Sequence, residues 1–277
     1  MRYDEWTKLL SVENEFKRAL KKLVKIFSDL AEQSGSNTEE YQKKMSEFQR
    51  SQAFKRYINA TVRRMVVGTN NARNRTWRAA SRKAMKGDKI YKLFRESITA
   101  AQKEMISQQV EENSRLIRTL PEDVAGKVTK NIADLALRGM RSAEIAKKLK
   151  HYTEKHSRAS INLIARTETS KTSTALTRAR SETLGIRGYI WRTALDGLRV
   201  RKSHRIMEGV LILWDNPPSP EMLVGEKYVG RYHAGEIWNC RCYPEPVIDL
   251  DDLHFPVKVY LNNTIQKMSK SELERLL

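Results

Sequence analysis

Proline is missing from the first 120 residues; the first is Pro121, and the other six are Pro217, Pro218, Pro220, Pro244, Pro246 and Pro256. Proline removes a backbone donor and breaks helices, so this distribution permits a helical first two-thirds and forbids a helical last third. Cysteine is scarce: Cys240 and Cys242 are the two present, at a spacing that strains a mutual disulfide and fits synthesis in a reducing cytoplasm. No run of about 18 apolar residues occurs, which excludes a membrane-spanning helix. The N-terminal MRYDEWTKLL has Asp4 and Glu5 but no apolar core or small-residue cleavage site, unlike a secretory signal. A Gly-rich phosphate loop, H-E-x-x-H and G-x-S-x-G are also missing, which removes the usual sequence marks of nucleotide, zinc-protease and serine-hydrolase chemistry.

Acidic charge is thin against the basic. The 277 residues carry 52 Lys and Arg and 33 Asp and Glu, a net charge of +19. Residues 51–200 hold 32 basic and 13 acidic side chains, the whole of that surplus. The stretch from Arg63 to Lys92 is densest and contains one acid, Asp88. Such a balance points to a polyanionic partner, with Arg63, Arg64, Arg73, Arg75, Arg78, Arg82, Lys83 and Lys86 as candidate contacts to the phosphates of double-stranded DNA. A solvated helical face, or a surface for an acidic protein, would have the same composition.

Apolar residues recur at helical spacing in Val12, Phe16, Leu20, Leu23, Phe27 and Leu30, opposite Lys17, Lys21 and Lys25. This stripe predicts a long amphipathic helix, suited to its own core or to another protein's groove. Gly35-Ser36-Asn37 ends it, and a second helix is expected over 39–67. Ile90, Phe94, Ile98, Ala101 and Met105 predict another up to about Leu120, and Pro121-Glu122-Asp123 opens the next. Residues 137–149 read as a helix, a Gly turn and a short helix, more a bihelical corner than a DNA-reading helix-turn-helix. A long helix follows over 157–184, with Gly185 placed to end it. Thereafter the period becomes that of strands, at 189–193, 209–214 and 239–243. The expected fold class is α+β: a mainly helical, basic N-terminal region (1–120), a compact domain of helices with a small antiparallel sheet (121–250), and a C-terminal tail (251–277).

Within the second region lies a dispersed signature: Ala165-Arg166-Thr167-Glu168, then Trp191-Arg192-Thr193-Ala194-Leu195-Asp196, then Arg201-Lys202-Ser203-His204, Met207-Glu208-Gly209, and His233-Ala234-Gly235-Glu236 leading to Asn239-Cys240-Arg241-Cys242. In order and spacing it resembles the phage Mu F-like minor head protein family, also called phage head morphogenesis proteins, over roughly residues 121–245. It departs where members of that family carry C-x-x-C and this chain has Arg201-Lys202-Ser203-His204, so that His204 alone remains a ligand type there. The resemblance implies a non-enzymatic, low-copy protein of the capsid interior that contacts the portal and the major capsid or scaffolding protein, and that assists head assembly and DNA ejection.

His204, His233, Cys240 and Cys242 together are the donor set of a closed structural zinc site, and residues two apart on a strand face one way. Equally, the cysteines fit small buried apolar groups, with both histidines bonded to carboxylates such as Asp196 or Glu236. Arg166 and Glu168 stand two apart on a helix and cannot pair with each other. Arg166 is expected to tie its helix to the strand bearing Asp196, and Trp191, Trp214 and Trp238 are expected in the core. Ser203, His204 and Asp196 are triad types, but neighbours on an extended segment face apart. A metal-dependent nuclease of phage origin, or a plain DNA-binding protein, remains the rival reading.

Overall fold

The computed structural model describes residues 9–83, 100–193 and 200–277. Lys86 and Asp196 lie outside the described residues, as does the side chain of Lys83. The chain divides into two compact units, one from Ser11–Val66 and Gln108–Ala165, the other from the described parts of Val67–Ser107 and Arg166–Leu277.

The first unit is helical. Helix α1 (Leu10–Ser34) buries Phe16, Leu20, Leu23 and Phe27, so the stripe read from the sequence is core. Asn37 caps α2 (Thr38–Arg50) by accepting from the amides of Glu39 and Glu40. The single helix expected over 39–67 is two, because Ser51 adopts an extended backbone and its Oγ accepts the amide of Phe54 at 3.2 Å, capping α3 (Gln52–Lys83). Phe48, at the end of α2, packs against Phe27 and Phe54 with ring centroids 5.9 and 4.8 Å away. Helix α4 (Ala100–Arg118) is followed by α5 (Leu120–Leu137), which has Pro121 in its first turn. Gly139, at φ +79°, turns the chain after α5, and the amides of Gly139 and Met140 satisfy the carbonyls of Ala136 and Leu135.

The short helix to 149 and the later helix from 157 are one element, α6 (Ser142–Thr183, 42 residues). Its buried stripe advances by four through Leu149, Thr153, Ser157, Ile161 and Ala165. Hydroxyl residues can occupy that stripe because they find partners there: Thr153 Oγ1 donates to Tyr41 OH at 3.0 Å, while Ser157 Oγ donates back to Thr153 O at 2.6 Å, Thr177 to Ser173 O at 2.8 Å and Ser181 to Thr177 O at 3.0 Å. A search for apolar periodicity sees a gap where the burial is continuous. Gly185, at φ +69°, ends the helix as expected, with the amide of Ile186 on Ser181 O at 2.8 Å.

In the second unit, β1 (Gly188–Arg192) pairs antiparallel with β2 (Val210–Leu213) and with β3 (Tyr243–Pro246). β2 runs parallel to β4 (Val257–Leu261), which pairs antiparallel with β5 (Thr264–Met268), giving the order β3-β1-β2-β4-β5. The sheet is thus mixed rather than purely antiparallel. The expected strand at 239–243 begins only at Tyr243. Residues 251–277, expected as a tail, supply β4, β5 and the helix α8 (Lys270–Leu276); a turn, Lys202–Arg205, forms the short α7 between β1 and β2. Alternation along the strands sends Tyr189, Trp191, Val210 and Ile212 to one face and Ile190, Leu211 and Leu213 to the other. Leu273 of α8 closes the second face, and the first is covered by the 232–242 segment.

Candidate functional site

The signature residues, far apart in sequence, interlock in the second unit. On α6, Arg166 donates to Asn239 Oδ1, Thr167 Oγ1 accepts the amide of Asn239 at 3.0 Å, and Thr174 Oγ1 donates to Ala234 O at 2.6 Å. The loop lies so close to the helix that a Cβ on Gly235, at φ +91°, would stand 2.7 Å from Thr174 Oγ1 and 2.9 Å from Cys242 O. At the end of β1, the amide and hydroxyl of Thr193 both donate to Glu208 Oε2, at 2.6 and 2.7 Å, while Arg192 pairs with Glu208 and Glu245. Gly209 turns at φ +76° and returns its amide to Trp191 O at 3.0 Å. These contacts use the charged and hydroxyl groups of the motifs to fix loops to a helix and a strand.

Beneath them sits the His and Cys cluster. α7 brings His204 Nδ1 to 3.5 Å from Cys240 Sγ and 3.4 Å from Cys242 Sγ, and the three donor atoms lie within 4.8 Å of one another. All three side chains are buried. The thiol of Cys242, together with His204, holds Cys240 well below the ordinary thiol range despite its burial. The same pairing and burial push Cys242 up. On the far side of the ring, His204 Nε2 lies 3.0 Å from Tyr232 OH, which donates to Glu221 Oε1 at 2.6 Å. Trp191 stands edge-on to His204, centroids 5.4 Å apart.

His233 belongs to a different group. Its Nε2 accepts from Arg178 at 3.4 Å; a guanidinium has only donors, so the proton sits on Nδ1, 3.2 Å from Tyr189 OH. Burial first, and the Arg178 charge second, lower its pKa to about 4, opposed by a backbone bond at Trp214. Glu236 Oε2 accepts the amide of His233 at 2.6 Å, and burial raises its carboxyl. The four-ligand set read from the sequence is therefore corrected to three, since His233 makes its bonds with Tyr189 and Arg178 instead.

Other expected residues divide similarly. Trp191 and Trp214 are core, whereas Trp238 is 54% exposed, with the Arg201 guanidinium 5.5 Å from its ring centre. Glu168 pairs with Lys171 at 3.4 Å. Arg166 reaches Asn239, and its expected tie to Asp196 falls outside the described residues. Ser203 and His204 are not on an extended segment but on the turn of α7; both are buried and Ser203 Oγ lies 3.3 Å from Glu221 Oε1. Of the basic candidates, Arg63, Arg64, Arg75, Arg78 and Arg82 are exposed, but Arg73 is buried and donates to Ser173 Oγ at 2.7 Å. It sits on the face of α3 that buries every fourth residue, Thr69, Arg73, Trp77 and Ser81, so it is corrected from phosphate contact to packing. Sequence reading missed Glu221, Tyr232, Tyr189 and Arg178. Glu221 and Tyr232 sit in a Pro- and Gly-rich loop without periodicity, and nothing in their spacing marks them.

No solved structure matches the chain. It is 32% identical over 137 residues to an uncharacterized protein of Haemophilus influenzae, covering 50% of this chain and 28% of that protein, so it spans little more than a quarter of the relative's length. Residues 124–244 match the family described as phage Mu protein F like protein, the stretch that holds the interlocked motifs. Across that stretch the chain is similar to the phage Mu protein F like family, the one that its residue signature resembles.

Proposed function

We propose that this chain is a minor head protein of a phage, placed in the capsid interior, where it associates with the portal and the packaged double-stranded DNA, contacts the major capsid or scaffolding protein, and assists head assembly and DNA ejection. The observation that carries this reading is the family match over residues 124–244. The basic surface agrees with it: Arg63, Arg64, Arg75, Arg78 and Arg82 are exposed, and Lys21, Lys25, Lys150 and Arg158 outnumber the one acid, Glu154, along one cleft of the helical unit. A non-enzymatic role is favoured by how the motif residues are used, as clamps between loops and scaffold. Hydrolysis of DNA by a hard divalent cation calls for gathered carboxylates, whereas the one ligand group found among the described residues is a buried imidazole with two thiols.

The test is assembly. Heads produced with the neighbouring portal and capsid proteins should carry the chain at a few copies, bound to the portal after the DNA is released. A chain that never enters particles, or that cleaves plasmid with magnesium or manganese, overturns the reading.

A further inference from the structure

We infer that His204, Cys240 and Cys242 bind one zinc ion, which pins the turn carrying His204 to the turn carrying the two cysteines. This goes beyond the head-protein reading and does not depend on it. Zinc bonds of about 2.3 Å to sulfur and about 2.0 Å to imidazole nitrogen, arranged tetrahedrally, set nitrogen and sulfur about 3.5 Å apart. The two nitrogen–sulfur separations in the structure are 3.5 and 3.4 Å. The sulfurs lie within 4.8 Å of that nitrogen and of each other, against a tetrahedral edge of about 3.8 Å for two sulfurs. An ion fits among these atoms with little movement of the backbone.

The surroundings prepare the ligands. Tyr232 donates to the Glu221 carboxylate at 2.6 Å, so its oxygen is left to accept from His204 Nε2–H at 3.0 Å. That chain of bonds fixes the tautomer with its lone pair on Nδ1, the nitrogen facing both sulfurs. The amide of Cys242 lies 3.3 Å from Cys240 Sγ, a donor suited to a thiolate. Glu221 is 4% exposed, and its Oε2 has no hydrogen-bond partner. A buried carboxyl oxygen without a partner, across the His204 ring from two thiols, favours a cation at the far nitrogen, and zinc supplies that charge. Two thiols and an imidazole select a borderline-soft ion over magnesium or calcium. Three protein donors leave the fourth position of the tetrahedron to a bound water.

The experiment uses the full chain. Purified from zinc-supplemented cultures and dialysed, it should retain about one zinc per chain by elemental analysis. After chelation, Zn²⁺ but not Mg²⁺ should restore its unfolding temperature, and added Co²⁺ should produce thiolate-to-cobalt charge-transfer absorption. Tyr232→Phe keeps the ring in the core but removes the bond to Nε2, and it should weaken zinc binding about 10- to 100-fold. Wild-type chain that holds far less than one zinc, and gives no charge-transfer band with Co²⁺, overturns the inference whether or not any variant folds. Unchanged zinc affinity in Tyr232→Phe overturns the role given to Tyr232 and Glu221.

Discussion

His233 shows how a single residue sets a pH limit on the fold. Its ring is buried neutral, with a pKa of about 4 against an ordinary value of about 6.5. The folded chain therefore takes up this proton less readily than the unfolded chain. Stability from the neutral ring is complete above about pH 6.5 and is lost as pH falls toward about 4, by up to about 3 kcal/mol. In His233→Gln that slope should vanish, so the stability gap to wild type, read from urea unfolding, should narrow between pH 7.5 and pH 4.5. A gap of constant size would mean that the ring is not held neutral. Gly235 is the steric counterpart. An added Cβ meets Ser170 Oγ at 2.8 Å and Cys242 O at 2.9 Å, in a backbone conformation that already disfavours side chains. Gly235→Ala should cost about 3 kcal/mol, whereas Gly225→Ala, at φ +70° with nothing within 4 Å, should cost about 1 kcal/mol. Equal losses at the two positions would remove crowding as the reason for glycine in the loop.

At the scale of elements, what could be read in advance followed from strong periodicity and from punctuation. The α1 stripe, Pro121 at the start of α5, Gly185 at the end of α6, and β1 and β2 all lie near where the residues predict them. The misplaced helix boundaries share a cause, which is that polar residues cap or fill the helices there. Ser51 caps a helix in the middle of an apolar pattern, and Thr153 and Ser157 carry a helix through what reads as a polar gap. β4 and β5 were hidden because β5 is largely exposed and β4 pairs in parallel with a strand far away in sequence. In the site, the Cys pair and His204 were legible as donor types, but their partners Tyr232 and Glu221 come from a loop whose course only the folded chain reveals. Ser51→Ala tests the first of these points. Losing the side-chain cap on the Phe54 amide should lower stability by about 1 kcal/mol, while Ser51→Asp should retain it. Unfolding midpoints that do not separate the two variants would show that the break between α2 and α3 is set by packing of Phe48 alone.

For the molecule as a whole the governing quantity is its net charge of +19, and the structure sorts that charge into groups that face solvent and groups that do not. On the proposed reading, each phosphate neutralised by an exposed cation releases condensed counterions, and affinity for DNA should fall with salt at a log–log slope of about −0.9 per contact. Arg75 and Arg78 lie on the exposed side of α3, whereas Arg73 is buried and bonded to Ser173. Replacing Arg75 and Arg78 together by Ala should shrink the salt slope by about 2 without altering any preference among DNA sequences. Arg73→Ala removes the same formal charge as either single replacement, yet it should leave the slope nearly unchanged and lower the unfolding midpoint instead. Fluorescence anisotropy across a salt series, on a fixed duplex and a shuffled one, separates these outcomes. A chain that binds DNA with the same slope after both replacements places its phosphate contacts elsewhere. One in which Arg73→Ala lowers the slope as much as the double variant has been read from its total charge when its geometry was needed.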